Sequence, residues 1–253
     1  METQKITSTQ NNLVKFAIKL QNPKFRKTEQ LILLDGEKTI QGIIENEMEF
    51  EYFFAKEDYN IKNAKIKNYI QVTDEILKKI STTKTPTNAV GIIKEPQIEK
   101  NIFKKLNKIA LIDGIKDPGN LGTIIRSAVA FSIDGIILFN DCVDLYNSKT
   151  IRATAQNMFK IPIIHTSDIN FINSLKSDRK LISTVVTTKN ELFNYKFDEK
   201  FIIAFGSEAD GISEEILKIS NEKVTLKMDN EVESINLGVC ASITFALCKI
   251  NKK

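Results

Sequence analysis

Residues 110–139 read ALIDGIKDPGNLGTIIRSAVAFSIDGIILF. An apolar run breaks at Gly114, apolar residues then recur at helical spacing, and a second apolar run follows Gly135. This pattern predicts a strand, a glycine-containing loop, a helix and a second strand. Open α/β folds hold their ligands at the carboxyl edge of a parallel sheet, and a loop after a strand brings its side chains to that edge. Asn120 and Arg126 are therefore the first candidate functional residues.

The alternation of apolar and polar segments continues toward the carboxyl terminus. Further apolar segments occur at 161–164, 181–186, 201–205 and 224–228. A helix is predicted from the N-cap Ser148 to about Lys160, and Ser213 and Ser234 are predicted to begin two more helices. Together with the two strands around Gly114, these segments predict an α/β fold with about six strands in a mostly parallel sheet.

The first hundred residues alternate in the same way. Strands are predicted at 30–36, 51–55, 69–72 and 89–94, and helices at 11–20, 37–47 and 74–80. We therefore predict a small α/β domain at 1–100, a linker at 101–108 and a second domain at 109–253.

A cationic segment lies near the amino terminus. Between Thr3 and Thr28 the chain has no acidic residue, and its cations include Lys15, Lys19, Lys24, Arg26 and Lys27. A solvated helix face followed by a turn at Pro23 accounts for this pattern, and so does a surface that contacts phosphates.

The composition excludes several classes of protein. The 36 lysines and arginines exceed the 32 acids by only four, which permits a polyanionic partner without requiring one. Three cysteines and the single His165 lie at no metal-ligand spacing, so we predict no metal site. The polar amino terminus and the absence of a long apolar run predict a cytoplasmic protein with no membrane partner.

Two more loops follow predicted strands. One reads GSEADGIS at 206–213 and the other ESINLGVCASI at 233–243. Either loop alone fits a simple turn, because glycine supports tight backbone geometry in any loop. No dinucleotide-binding fingerprint, P-loop or nucleophile elbow occurs in the chain. A nucleotide-dependent Rossmann enzyme is therefore disfavoured.

Taken together, the three loops resemble one family. N-x-G-x-x-x-R at 120–126, G-S-E-x-x-G at 206–211 and E-S-x-N at 233–236 occur in order, each after a predicted strand. This arrangement resembles the SpoU (TrmH) family of RNA 2'-O-ribose methyltransferases, in the SPOUT superfamily. The segment at 25–40 is similar to the substrate-binding domain often found in this family, a small α/β fold of ribosomal-protein type.

The resemblance implies a fold, a cofactor and an assembly. It implies a carboxy-terminal SPOUT-type domain with a deep trefoil knot, and S-adenosylmethionine held in the knot by loop backbones. The residues that match the cofactor-binding positions are Gly206, Leu226, Met228, Ser234 and Ile235. Members of the family pair as homodimers around the knot, so a homodimer is expected.

The resemblance also implies catalytic and RNA-binding residues. Arg126 matches the arginine with the chief catalytic role, with Asn120, Glu208 and Asn236 beside it. Each of these three also has a purely structural alternative: Asn120 as a turn asparagine, Glu208 as a helix-start carboxylate and Asn236 as an early helix residue. The expected RNA-binding residues are Lys24, Arg26, Lys27 and Arg152, although Arg152 also fits a simple charge on a helix surface.

Two positions depart from the family pattern. Gly238 stands where the family commonly has Ser, and Gln156 where it commonly has Gly. Because the four catalytic candidates match the motifs, 2'-O-methylation is expected. Large-subunit ribosomal RNA is the predicted substrate, because the amino-terminal domain resembles the ribosomal type. The alternatives are methylation of transfer RNA and a non-catalytic RNA-binding or assembly protein that retains the fold.

Overall fold

The structure is a computed structural model that describes residues 4–83, 87–186, 188–229 and 234–251. The chain divides into two compact units, each described by itself. Unit 1 comprises residues 1–97 and 146–159, and unit 2 comprises residues 98–145 and 160–253. The predicted domain boundaries stay a prediction, and they differ from this division chiefly at 146–159.

The helices and strands follow one another along the whole chain. Residues 4–97 contain β1 (Gln4–Ile6), α1 (Asn12–Lys19), α2 (Pro23–Glu29), β2 (Leu31–Asp35), α3 (Glu37–Glu45), β3 (Glu49–Ala55), β4 (Lys65–Val72), α4 (Asp74–Ile80) and β5 (Ala89–Lys94). After a 3₁₀ turn at Lys100–Lys105 come β6 (Lys108–Asp113), α5 (Pro118–Ala130), β7 (Gly135–Phe139), α6 (Ser148–Ala153), β8 (Ile163–Thr166), α7 (Ile169–Leu175), β9 (Lys180–Thr184), β10 (Phe201–Phe205), α8 (Glu214–Ile219), β11 (Glu222–Val224) and α9 (Leu237–Ile250).

Unit 1 is built on a five-stranded mixed sheet in the order β1-β4-β3-β5-β2. β4 is parallel to β1 and β3, whereas β5 is antiparallel to β3 and β2. A core cluster on this unit joins α1 and α4 to the sheet through residues such as Val14, Ile76 and Phe54. The small α/β domain predicted from alternation is therefore present in the described residues.

Unit 2 is built on a six-stranded sheet in the order β11-β9-β10-β6-β7-β8, and every neighbouring pair is parallel. Alternate residues of β6 enter two different apolar clusters, with Ala110 and Ile112 in one and Ile109 and Leu111 in the other. The sheet is thus buried on both faces, which explains why its strands are continuous apolar runs. The predicted mostly parallel sheet of about six strands is confirmed; the knot stays a prediction.

Several predicted boundaries were wrong in unit 1. Pro23 begins α2 rather than a turn, because proline is well suited to the first helical position and Asn22 Oδ1 accepts the Lys24 amide hydrogen at 2.9 Å. α6 ends at Ala153 rather than near Lys160, and its N-cap is Asn147 rather than Ser148. Ala155 and Gln156 have φ values of +47° and +78°, which no helix accepts.

Three boundaries in unit 2 also differ from the predictions. α5 begins at Pro118, so Asn120 lies in its first turn and Arg126 further along the helix, not in a loop. α9 is capped by Asn236 rather than Ser234. β11 ends at Val224, which leaves Leu226 and Met228 outside the sheet and outside any regular secondary structure. Within the described residues, no helix is long and apolar enough to span a lipid bilayer.

Candidate active site

The first motif loop connects β6 to α5. Gly114 has a φ of +72°, a left-handed conformation that glycine adopts without strain. Asp117 caps α5, because its Oδ1 accepts the Asn120 amide hydrogen at 2.7 Å. The cap and Pro118 at the first helical position fix Asn120 in the first turn at the carboxyl edge of the sheet.

The second motif loop is closed on itself. Ser207 and Gly211 exchange two backbone hydrogen bonds of 3.1 Å. A Cβ on Gly206 would lie 1.9 Å from the Gly211 carbonyl carbon, so this position accepts no side chain. The buried Asp113 carboxylate accepts the Ser213 amide hydrogen at 2.8 Å and thereby ties the loop to the end of β6. Glu208 is held in this tight turn.

The third motif segment completes a chain of hydrogen bonds. Asn236 caps α9 by accepting the Val239 amide hydrogen at 3.2 Å, and its Nδ2 donates to Asn120 Oδ1 at 2.8 Å. Asn120 Nδ2 in turn donates to Glu208 Oε1. Three predicted residues from three distant segments are therefore in direct contact. Glu233 of the same motif lies outside the described residues.

Arg126 is not part of this hydrogen-bonded cluster. It lies on α5, about 120° around the helix from Asn120 at the α-helical repeat. Its side chain is exposed, and none of the residues in the described ranges lies within hydrogen-bonding distance of its guanidinium group. The guanidinium group is therefore accessible to an external anion or oxygen atom.

A cavity of about 330 Å³ lies beside the cluster. All five predicted cofactor-binding residues line it: Gly206, Leu226, Met228, Ser234 and Ile235. Ile235 and Leu237 both belong to the lining, so Asn236 of the cluster lies between two cavity residues. The volume is at the lower end of the roughly 300–1,000 Å³ range of ligand pockets.

Sequence reasoning missed part of the lining. The missed residues include Thr184 at the end of β9, Val185 directly after it, and Leu192, Ile212 and Thr244. Thr184 and Val185 carried a usable signal, because they end a buried apolar segment at the same sheet edge as the motif loops. The others contribute through packing between distant segments and have no local signature.

The cavity is apolar, and its lining includes backbone groups that can hydrogen-bond a ligand. Among the described residues, none forms a backbone hydrogen bond with Leu226 or Met228. Burial raises the pKa of the Cys240 thiol in the lining, so the thiol stays neutral near pH 7 and is a poor nucleophile. The part of the chain that the structure describes contains no group of three His, Cys, Asp or Glu residues that could hold a metal ion.

The predicted RNA-binding cations differ in their environment. Lys24 and Lys27 are exposed on α2. Arg26 is half-buried, and its Nη1 donates to the carbonyl oxygens of Leu20 and Gln21 at 2.9 and 3.0 Å, so it stabilises the end of α1. Arg152 is exposed on α6 and donates to Thr82 Oγ1 at 3.3 Å.

Comparison with known proteins identifies two matching domains. The model of the SpoU rRNA Methylase family matches residues 107–246, and that of the MRM3-like substrate binding domain matches residues 11–91. An uncharacterized tRNA/rRNA methyltransferase of Synechocystis sp. is 27% identical over 248 residues, which cover 94% of this chain and 90% of the relative. The 23S rRNA (guanosine(2553)-2'-O)-methyltransferase RlmP of Bacillus subtilis is 26% identical over 242 residues, covering 94% of this chain and 96% of the relative.

Solved structures show the same fold. The AdoMet-bound rRNA methyltransferase from Sinorhizobium meliloti superposes with a TM-score of 0.86 at 21% identity, covering 98% of both chains. The SpoU methyltransferase AviRb from Streptomyces viridochromogenes, in complex with AdoMet, superposes with a TM-score of 0.84 at 18% identity and covers 95% of this chain and 98% of its own.

Proposed function

Since the chain belongs to the SpoU rRNA methylase family, we propose that it transfers a methyl group from S-adenosylmethionine to a ribose 2'-hydroxyl of large-subunit ribosomal RNA. RlmP, which is similar over nearly the whole length of both chains, is a 23S rRNA 2'-O-methyltransferase by its name. The match of residues 11–91 to a substrate-binding domain supports RNA as the partner.

One observation carries the proposal. Asn120, Glu208 and Asn236 come from three segments that span more than a hundred positions, and they are joined by hydrogen bonds beside an apolar cavity. A polar cluster with free lone pairs next to an apolar slot suits a reaction in which one partner is a nucleoside and the other carries a hydroxyl group.

The cavity suits the proposed cofactor. An adenine ring requires an apolar slot and backbone groups that hydrogen-bond its edge, and Leu226, Met228 and Ile235 offer both. Gly206 belongs to the lining, and the close approach of the Gly211 backbone leaves room for no side chain there. Ser234 adds a hydroxyl group at the lining. Bound S-adenosylmethionine would supply an electrophilic methyl group on its sulfonium.

The catalytic residues act on the ribose. Methyl transfer would form an O–CH₃ bond and break an S–CH₃ bond, with S-adenosylhomocysteine as the leaving group and solvent water as the acceptor of the hydroxyl proton. An arginine side chain stays protonated at neutral pH, so Arg126 is assigned to orient the hydroxyl group and to stabilise the negative charge that develops on its oxygen. Asn120 and Asn236 position the ribose, and Glu208 holds Asn120 in place.

RNA contact in unit 1 is assigned to exposed cations. Lys24 and Lys27 on α2 and Arg152 on α6 are available to phosphates. Arg26 contributes mainly by stabilising α1, because two backbone carbonyl oxygens already accept hydrogen bonds from its guanidinium group.

The proposed assembly is a homodimer. Val239, Ile243, Ala246 and Ile250 share one face of α9, and Val239 and Ile250 are 47% and 74% exposed. Phe193, 53% exposed, is tied to the end of this helix by Asn251 Nδ2, which donates to its carbonyl oxygen at 2.9 Å. An apolar helix face of this kind suits a second copy of the chain. Ribosomal RNA as substrate makes the cytoplasm the proposed location.

A methyl-transfer assay tests the function. Purified protein is incubated with labelled S-adenosylmethionine and with fractionated ribosomal and transfer RNA that lack the modification. Alkaline hydrolysis then locates the label, because a methylated 2'-oxygen cannot attack the neighbouring phosphate. We expect alkali-resistant label in large-subunit ribosomal RNA.

Arg126→Ala provides the matched comparison. It should lower the transfer rate at least about a hundredfold, the usual effect of removing an electrostatic stabiliser of a transition state, while the thermal unfolding curve stays unchanged. Lys218→Ala, at another exposed cation of unit 2, should retain full activity. Near wild-type turnover of Arg126→Ala would contradict the assigned role, and label only in transfer RNA would contradict the proposed substrate.

A further inference from the structure

Unit 1 contains a groove that none of the residues assigned above lines. It has a volume of about 640 Å³ and runs between α3 and the segment that connects β3 to β4, with Gln156 at its edge. Its size falls within the range of pockets that hold small ligands or single nucleotides. The lining decides which class of ligand fits.

Three carboxamide side chains line the groove without protein partners. Asn60 and Asn63 lie in the connecting segment, and Gln156 follows α6. No residue within the described ranges donates a hydrogen bond to these side-chain amides or accepts one from them. Each carboxamide offers donors and an acceptor side by side, which is the pattern that reads the edge of a nucleobase.

The groove also has an aromatic and an aliphatic surface. Tyr59 is half-buried, and its ring centroid lies 5.9 Å from that of the buried Phe53, which fixes it from behind. Ile40, Ile44 and Ile61 complete the apolar lining. Unpaired RNA bases are commonly held by stacking on an aromatic ring in such a setting.

The lining of the groove carries two lysines, Lys38 and Lys62, and one acid, Glu37. Neither lysine forms an ion pair with a described residue, whereas nearby Lys65 is paired with Glu47. Beyond Ile44 and Asn63 a second depression of about 470 Å³ contains Glu45 and Glu47. With two lysines against one acid, the groove favours a phosphate group beside Lys38 and Lys62, and the second depression disfavours one.

The backbone at Gln156 is strained. Its φ of +78° is a left-handed conformation that a glutamine side chain rarely adopts. The segment is pressed against α3, where a Cβ on Gly42 would lie only 3.1 Å from Gln156 Cβ. A glycine at position 156 would relieve the strain, so the side chain is retained at a conformational cost, as at sites where strain serves a function.

We propose that this groove binds one unpaired nucleotide of the RNA substrate. Its base lies against Tyr59 and is read by the carboxamides of Asn60, Asn63 and Gln156, and its phosphates face Lys38 and Lys62. This inference rests on the proposed RNA-directed function, and it assigns to unit 1 a contribution to the choice of the RNA site, beyond contact with phosphates.

The test compares two glutamine-to-glycine substitutions, each at a residue whose backbone is strained by a left-handed conformation. Gln156→Gly removes a carboxamide of the groove. Gln30→Gly is the matched control, because Gln30 has a φ of +52° and an exposed side chain but lies outside the groove. Binding of the full-length protein to transcribed fragments of large-subunit ribosomal RNA is measured by fluorescence anisotropy without cofactor, together with the melting temperature.

Gln156→Gly should bind the preferred fragment about tenfold more weakly, as expected for a lost pair of hydrogen bonds to a base, while its melting temperature stays equal or rises. Gln30→Gly should retain the wild-type affinity, and Asn60→Ala should behave as Gln156→Gly does. Single-base changes at unpaired positions of the fragment should include one that weakens the wild type but not Gln156→Gly.

Wild-type affinity for RNA in both groove variants would overturn the inference. That result is expected if the groove binds a protein segment instead of RNA. Because binding is measured without cofactor, a protein that binds RNA through the groove but transfers no methyl group would contradict the proposed reaction and leave the groove supported. A wild-type protein that binds no fragment would overturn both.

Discussion

At the scale of single residues, the site depends on the hydrogen bonds that its carboxamide side chains donate and accept. Asn120 uses both ends of its side chain, since its Nδ2 donates to Glu208 and its Oδ1 accepts from Asn236. A carboxylate at position 120 would keep the second hydrogen bond and lose the first, because two carboxylates have no hydrogen to share. The identity of this residue therefore decides whether the three segments stay together.

Asn120→Asp tests this arrangement. We expect it to lower the stability by about 1 kcal/mol, the usual worth of one hydrogen bond, and to reduce methyl transfer strongly, because two like charges face each other. The double variant Asn120→Asp with Glu208→Gln restores a donor and an acceptor with one charge. Its melting temperature should recover toward the wild-type value. No recovery in the double variant would show that the contact between positions 120 and 208 does not hold the loops.

At the scale of secondary-structure elements, α5 and α9 pack closely through small residues. Ser127 Oγ and Ser242 Oγ are 2.6 Å apart. A Cβ on Gly238 would lie 3.1 Å from both Cβ and Cγ2 of Thr123, which is tighter than ordinary packing. The small residues Gly238, Ala241 and Ser242 of α9 let another backbone approach closely, and the structure identifies α5 as that neighbour.

Gly238→Ser, which introduces the residue common in the family, should be destabilising in this chain. The gain in helix propensity is about 0.5 kcal/mol, whereas overpacking against a neighbouring helix costs about 1–3 kcal/mol. We expect a net loss of about 1 kcal/mol by chemical denaturation. Adding Thr123→Ser removes Cγ2 and should recover part of the loss. Equal stability of Gly238→Ser and wild type would show that the two helices separate at little cost.

Single elements also show where local patterns were insufficient. The prediction extends the helix past Ala153 because Pro162 is the first helix-stop signal after Ser148. In the structure, Ala155 and Gln156 adopt left-handed conformations and Met158 is buried in spite of the break. Thr154, the Ccap residue, donates a hydrogen bond from its Oγ1 to the Ile151 carbonyl oxygen, and Asn157 Nδ2 donates to the Thr154 carbonyl oxygen. These carbonyl groups have partners without further helical turns, so the helix can end at Ala153.

At the scale of the whole molecule, the proposed homodimer predicts that the exposed apolar face of α9 lies in the dimer interface. Val239→Lys places a charge on its exposed apolar face and should shift the protein toward the monomer in sedimentation velocity experiments, because a buried unpaired charge is costly. Ile102→Lys is the control, since Ile102 is an apolar residue of similar exposure at 42% on the 3₁₀ turn. A dimer that survives Val239→Lys, or a wild-type monomer, would contradict the proposed interface.

The sequence alone determined the kind of fold and the positions of its motif loops. Buried parallel strands appear as continuous apolar runs, and the residues that follow them must lie at one edge of the sheet. Asn120, Glu208 and Asn236 could be named for this reason, with the help of a family resemblance. Their roles in catalysis stay predictions.

Only the tertiary structure decided which of these residues touch. The strand order β11-β9-β10-β6-β7-β8 brings residue 120 to residues 208 and 236, and another order of the same strands would have the same apolar pattern. The lining by Leu192 and Thr244, the isolation of Arg126 from the hydrogen-bonded cluster and the groove beside Gln156 likewise arise from contacts between distant segments. Periodicity records which face of a segment is buried, but not which segment covers it.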